Sequence, residues 1–146
     1  MKKFYVAVAA IAVLATGAVI AQSNPIVQRK AILKGFGDAT KPIPAMLKGE
    51  APYDNAAVQK ALATIADGTK KLPDLFPDNS MTGDDTAALP NIWDDKAKFL
   101  AIYAKLGADA AAAQGTITDL ASLKANMGTV FGDCKSCHDN YRAKKS

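Results

Sequence analysis

From Asn24 onward, apolar residues recur every three or four positions, and the pattern is broken three times by clusters of Pro, Gly, Asp and Asn. That period belongs to amphipathic α-helix. Asn24-Pro25 is a helix start, with Asn as the cap and Pro in the first turn. Ile26, Leu33 and Phe36 follow at helical spacing, and Ile32, Ala39 and Met46 more loosely. Pro42 and Pro44 are expected to bend or interrupt this helix before it ends near Gly49. Gly35 and Gly37 lower its propensity and are expected to let another backbone come close. Pro52-Tyr53-Asp54 reopens the chain, and Val58, Leu62, Ile65 and Leu72 mark a second helix that stops before Pro73. Between Leu72 and Pro90, prolines, Gly83 and short polar clusters predict a long loop. Loops of that length in a compact domain usually cover something, and Leu75 and Phe76 supply the apolar material. Asn91 is expected to cap a third helix bearing Ile92, Phe99, Tyr103, Leu106 and Ala110 on one stripe, with Gly115 at its end. The fourth helix starts near Thr118-Asp119. It carries Leu120, Leu123, Met127, Phe131, Cys134, His138 and Tyr141 on one face. No segment alternates as a strand would. The pattern predicts an all-α, up-down-up-down four-helix bundle.

The N-terminus reads differently. Lys2 and Lys3 precede an apolar run from Val6 to Ile20, with cleavage expected before Gln22. The run is shorter than the roughly 20 residues a membrane-spanning helix needs. Residues 1–21 are thus read as a cleaved export signal and 22–146 as the mature domain, long enough for one core. Without Lys2 and Lys3, 16 basic and 14 acidic residues remain, a net charge of +2. No arginine-rich or aromatic-interleaved patch is present, so the basic precursor charge gives no reason to expect nucleic-acid binding. The Lys144-Lys145 tail reads as a solvated helix end.

One motif carries chemistry. Cys134-Lys135-Ser136-Cys137-His138 is a C-x-x-C-H pentad, and it holds both cysteines and the single histidine of the chain. Two thiols at this spacing can add across the vinyl groups of one haem, and the adjacent imidazole can bind its iron. A structural zinc site would need four Cys or His ligands, and three exist. A thioredoxin-like disulfide would sit beside a βαβ pattern, which is missing. The pentad continues the apolar stripe of the fourth helix, so the haem belongs inside the bundle beside that helix. Covalent haem and an export signal together point to the periplasm. Trp93, Phe99 and Tyr103 read as core or haem packing. Asp94 and Asp95 complement a helix dipole. No nucleophile or acid–base constellation is visible outside the haem motif, so no enzyme activity is expected.

Several further motifs, in order, carry a resemblance: Arg29 near the start of the first helix, Ala51-Pro52-Tyr53-Asp54, Leu72-Pro73, Phe76-Pro77, Gly83-Asp84-Asp85-Thr86 leading to Pro90-Asn91-Ile92-Trp93-Asp94, and Cys134-x-x-Cys137-His138-x-x-x-Arg142. Over residues 23–146 the chain resembles the cytochrome c′ family, high-spin haem c four-helix bundles of bacterial periplasms. The resemblance implies one covalent haem c, thioether bonds at Cys134 and Cys137, and His138 as axial iron ligand. It places Arg29 and Lys30 near the haem propionates, Leu33 over the opposite iron face, and Phe76, Thr86 and Arg142 in the haem pocket. Simpler readings stand beside three of these: a solvated Lys30, a Phe76 that only anchors the loop, and an Arg142 that is a surface cation at a helix end.

The same resemblance implies five-coordinate iron acting in electron transfer, in binding of small diatomic gases such as NO and CO, or in both. A homodimer formed by the first two helices is implied as well, with a monomer as the alternative. The competing function is a six-coordinate, low-spin electron carrier with a methionine as sixth ligand, for which Met46 and Met81 are the formal candidates. Met127 shares a helix with His138 and reads as core. A peroxidase would need distal acid–base residues, and no distal His exists.

Overall fold

Asn24 opens the first helix through its side chain. Its Oδ1 accepts the backbone N–H groups of Ile26 at 2.9 Å and Val27 at 3.2 Å, two donors the helix leaves unpaired. The computed structural model describes residues 24–144, so the expected signal segment and its cleavage point lie outside the described residues. Helix α1 spans Pro25–Thr40 and α2 spans Ile43–Lys48. The proline pair separates them, as the missing N–H of Pro42 and Pro44 requires, and Gly49 closes α2. Helix α3 spans Asn55–Lys71 and is capped by Asp54, whose carboxylate accepts from Ala57 N at 3.0 Å.

The loop that follows contains two short 3₁₀ turns, Leu72–Leu75 and Asp78–Ser80. Beyond it the chain departs from the expected third helix. A four-residue helix α4, Asn91–Asp94, is broken at Asp95 from the long helix α5, Lys96–Thr116. Asp95, and not Asn91, caps α5, accepting from Lys98 N at 3.1 Å. Asn91 instead donates through Nδ2 to Asn140 O at 2.9 Å. A carboxylate accepts an N-terminal N–H at least as well as an amide does, and a distant partner claims Asn91. Helix α6, Leu120–Tyr141, starts at a reciprocal Asp119/Ser122 capping box.

The long helices form the expected four-helix bundle, with α1–α2 and α4–α5 each standing for one interrupted helix. Packing runs from α1 to α3, from α3 to α5 and from α5 to α6. The core between them is built from Val58, Leu62 and Ile65, from Phe99, Tyr103 and Leu106, and from Leu123, Met127 and Val130, all buried. Close backbone approach occurs at Gly68 of α3, where a Cβ would lie 2.3 Å from the Phe36 ring of α1. Gly35 and Gly37, expected to play that part, have nothing within 4 Å of where a Cβ would stand. Gly35 is half-buried and Gly37 exposed, neither meets a neighbouring helix, and their spacing alone did not reveal this.

The C-terminal turn is tied back to the loop. Leu89 N donates to Tyr141 O at 3.0 Å and Ala143 N to Ala87 O at 2.8 Å, around an antiparallel bridge between Ala88 and Arg142. This holds the end of α6 and the approach to α4 against one another. No helix among the described residues is long and apolar enough to cross a membrane.

Candidate functional site

Helices α1 and α6 face each other across a cavity of about 480 Å³, within the size range of small-molecule and cofactor sites. Arg29, Leu33 and Phe36 reach it from α1, and Phe131, Cys134, Cys137 and His138 from α6. Phe99, Tyr103 and Leu106 of α5 close its floor, and Phe76 with residues 85–88 form its roof. The long loop therefore does cover something. All the residues singled out from the sequence meet at this one cavity: Arg29, Lys30, Leu33, Phe76, Thr86, Cys134, Cys137, His138 and Arg142.

Cys134 and Cys137 are half-buried free thiols one helical turn apart. Burial, followed by the neighbouring Cys134, pushes the Cys137 thiol up to about 11. Burial likewise raises Cys134, helped by Asp133. Neutral thiols on one helix face, opening on an apolar cavity, suit addition to two vinyl groups of a flat ligand. His138 follows at the mouth, partly open to solvent and partly turned to the cavity. Its pKa is lowered by burial first and by Arg142 second, against the pull of Asp139. The Nη1 atom of Arg142 lies 3.5 Å from His138 Nε2. A guanidinium only donates, so this contact is compatible with the tautomer that keeps the lone pair on Nε2, the form a metal ion requires.

Arg29 is almost wholly buried, at 2% exposure. Its Nη1 donates to Leu75 O at 3.0 Å and Ser80 Oγ at 2.8 Å. Its Nη2 donates to Ser80 O at 2.8 Å and Thr86 Oγ1 at 2.9 Å. The cation thus pins the roof loop onto α1. No carboxylate lies within ion-pair distance of it among the described residues, and burial lowers its pKa. A buried cation calls for an anion, so the cavity fits a ligand that carries acidic groups as well as a large apolar surface. Lys30 is exposed and reaches the loop carbonyls of Asp84 at 2.5 Å and Asp85 at 3.4 Å. These two carbonyls belong to consecutive non-glycine residues with positive φ, 46° and 50°, a conformation such contacts help to hold.

Phe76 serves both readings. It is buried, lines the cavity, and packs edge-on against Phe99 with ring centroids 4.8 Å apart. Trp93, read as core or haem packing, lies outside the lining and clamps the loop. Its Nε1 lies 3.2 Å from both Phe76 O and Pro77 O. The lining contains neither a methionine nor a second histidine. Met46 and Met127 are buried in the core and Met81 is exposed, all away from the cavity.

Two features escaped the sequence reading. Ser80, buried, is the main acceptor for Arg29, a partnership across 51 residues that no local signal marks. Lys105 of α5 bridges Asp109 at 2.5 Å and Asp133 of α6 at 2.7 Å, beside the first cysteine. Only the i, i+4 spacing of Lys105 and Asp109 was visible in the chain.

Comparison with known proteins agrees with this geometry. The family model described as Cytochrome C′ matches residues 24–142. A cytochrome c′ of Rhodopseudomonas palustris is 64% identical over 146 residues, 100% of both chains. A solved cytochrome c′ structure from Rhodopseudomonas palustris superposes with a TM-score of 0.83 at 70% identity, covering 86% of this chain and 100% of its own. A cytochrome c-556 of Agrobacterium fabrum is 41% identical over 133 residues, 90% of this chain and 89% of its own. A helical bundle, a cavity that fits haem and a match spanning nearly all described residues lead to one assignment: the chain belongs to the cytochrome c′ family, electron-transfer proteins that carry covalently bound haem c.

Proposed function

We propose that the haem is bound through Cys134 and Cys137, that His138 Nε2 is the only protein ligand to its iron, and that the opposite iron face is left open beneath Leu33. The haem supplies a redox-active iron with one free coordination position. The chain's residues do the rest. Arg29 offers positive charge to the propionates, with Thr86 held beside it, and Lys30 and Arg142 flank the mouth. Leu33, Phe36 and Phe76 exclude water from the apolar side. The protein then serves electron transfer, binding of small neutral diatomics such as NO and CO, or both, and it does so as an exported periplasmic protein and a homodimer.

The observation that carries this reading is the lining itself: besides His138 it offers no imidazole and no thioether of methionine. Of its two phenols, Tyr141 stands on α6 with His138, away from the opposite iron face. The other, Tyr103, is pushed by burial far above the ordinary tyrosine range and stays protonated, a poor ligand for iron. A solved cytochrome c′ of Alcaligenes xylosoxidans, 28% identical, is described as a ferrous variant with bound NO, which adds support for gas binding here. Optical spectra of the ferric and ferrous holoprotein, with and without CO, test the reading. High-spin spectra and a CO complex are expected. A sharp low-spin, methionine-ligated spectrum indifferent to CO would replace it with the six-coordinate electron carrier.

A further inference from the structure

Tyr103 stands on α5, one turn after Phe99 and one before Leu106, and only 3% of it is exposed. Its ring is fixed by Phe99 and Phe76, with centroids at 5.2 and 6.0 Å. A phenylalanine would make the same contacts. What distinguishes tyrosine is its hydroxyl, and among the described residues that hydroxyl makes no hydrogen bond. It is not sealed in, either. The one fully enclosed polar side-chain atom without a partner among the described residues is Asp133 Oδ2, so the Tyr103 hydroxyl opens on space. Tyr103 borders two spaces, the haem cavity and a groove between α3 and α5. Its ring packs against Phe76 and Phe99, both of which line the cavity and neither of which lines the groove. These two rings belong to the roof and floor of the cavity, which turns Tyr103 toward it.

A hydroxyl taken out of water without a partner is costly, and nothing among the described residues compensates for this one. We infer that the Tyr103 hydroxyl donates a hydrogen bond to an oxygen acceptor that enters the cavity with the haem or on its iron. The inference rests on the haem reading of the cavity. Two sources share that chemistry, a haem propionate and the oxygen end of a diatomic ligand. Either one makes Tyr103 a positioning residue in a wall that was read from the sequence as apolar packing.

Tyr103→Phe in the holoprotein removes the donor and keeps the ring. If the acceptor is a diatomic on iron, the C–O stretch of the ferrous CO complex rises in the variant and bound NO leaves faster. If the acceptor is a propionate, the C–O stretch stays put while the reduction potential falls, because an unbonded carboxylate favours ferric iron. Variant and wild type agreeing in both readouts would overturn the inference. Failure of the wild type to bind CO counts against the open-site reading instead, and the potential then decides the role of Tyr103.

Discussion

The guanidinium carbon of Arg29 lies 4.5 Å over the ring of Phe76, while the same guanidinium donates to the carbonyl of Leu75. One side chain thus holds the roof of the haem cavity by stacking and by hydrogen bonds together. Arg29→Met keeps much of the volume but strands Leu75 O and Ser80 O in buried or part-buried surroundings. A loss of about 2–4 kcal/mol is expected in denaturant unfolding of the holoprotein. Because no carboxylate among the described residues pairs with Arg29, the loss is expected to be larger with haem bound than in the apoprotein. A loss below about 0.5 kcal/mol would rule out the roof-pinning role.

The helices, their proline break and the haem motif were legible because each rests on local rules: the 3.6-residue period, caps, and the pentad spacing. Cys134 could be put on the stripe facing the haem for the same reason, whereas the place of Leu33 at the cavity came only from the family resemblance. The break at Asp95 was less visible, since two acidic residues near a helix start look alike until one of them caps. Long-range pairings were not legible at all. Arg29 with Ser80, Asn91 with Asn140 and Lys105 with Asp133 each join segments 28 or more residues apart. Tyr103 shows the limit most clearly, because helical spacing says that it faces inward but not that its hydroxyl meets open space.

Gly68 is the contact that sets how closely α3 approaches α1. A methyl group there would stand 2.3 Å from Cε1 of Phe36 and 2.9 Å from Cγ2 of Ile32, and Phe36 lines the haem cavity. Gly68→Ala is therefore expected to cost about 1–3 kcal/mol through overpacking, despite the better helix propensity of alanine. The displaced ring should also disturb the haem environment. Paired thermal unfolding and Soret spectra check this. A variant as stable as wild type with an unchanged Soret band would show that the two helices can separate freely.

Lys105 holds two carboxylates from different helices. The hydrogen bond from Lys105, and after it that with Asp133, keeps the Asp109 carboxyl below its ordinary range. A group whose folded pKa is depressed contributes stability above its unfolded value, and that contribution disappears as pH falls through the folded one. In Lys105→Met, Asp109 and Asp133 face each other without the cation, and Asp133 Oδ2 already lacks a partner. The variant should be less stable than wild type at neutral pH, with the gap narrowing once acid protonates the carboxylates. Unfolding measured from neutral to strongly acidic pH tests this, and a gap that stays constant throughout would contradict it.

In the proposed reading of the site, Leu33 controls the sixth coordination position. It stands one helical turn beyond Arg29 on α1, half-buried, and lines the cavity across from the helix that carries His138. An aliphatic side chain offers iron no lone pair, and placed over the metal as proposed it would keep water out. A ligand arriving on that face must displace it, so small diatomics should bind more readily than bulky isocyanides. Leu33→Ala removes the obstacle and is expected to speed CO association by at least tenfold, equivalent to about 1.4 kcal/mol off the barrier. The deleted methyl groups of this half-buried side chain should at the same time cost about 1–2 kcal/mol of stability, below the range for a fully buried leucine. Leu33→Met supplies a thioether of similar volume at the same place and should move the spectrum toward low spin. The two substitutions pull in opposite directions on the same iron face, which separates blocking by Leu33 from a general loosening of the bundle. If both variants bind CO at the wild-type rate with wild-type spectra, Leu33 does not cover the iron.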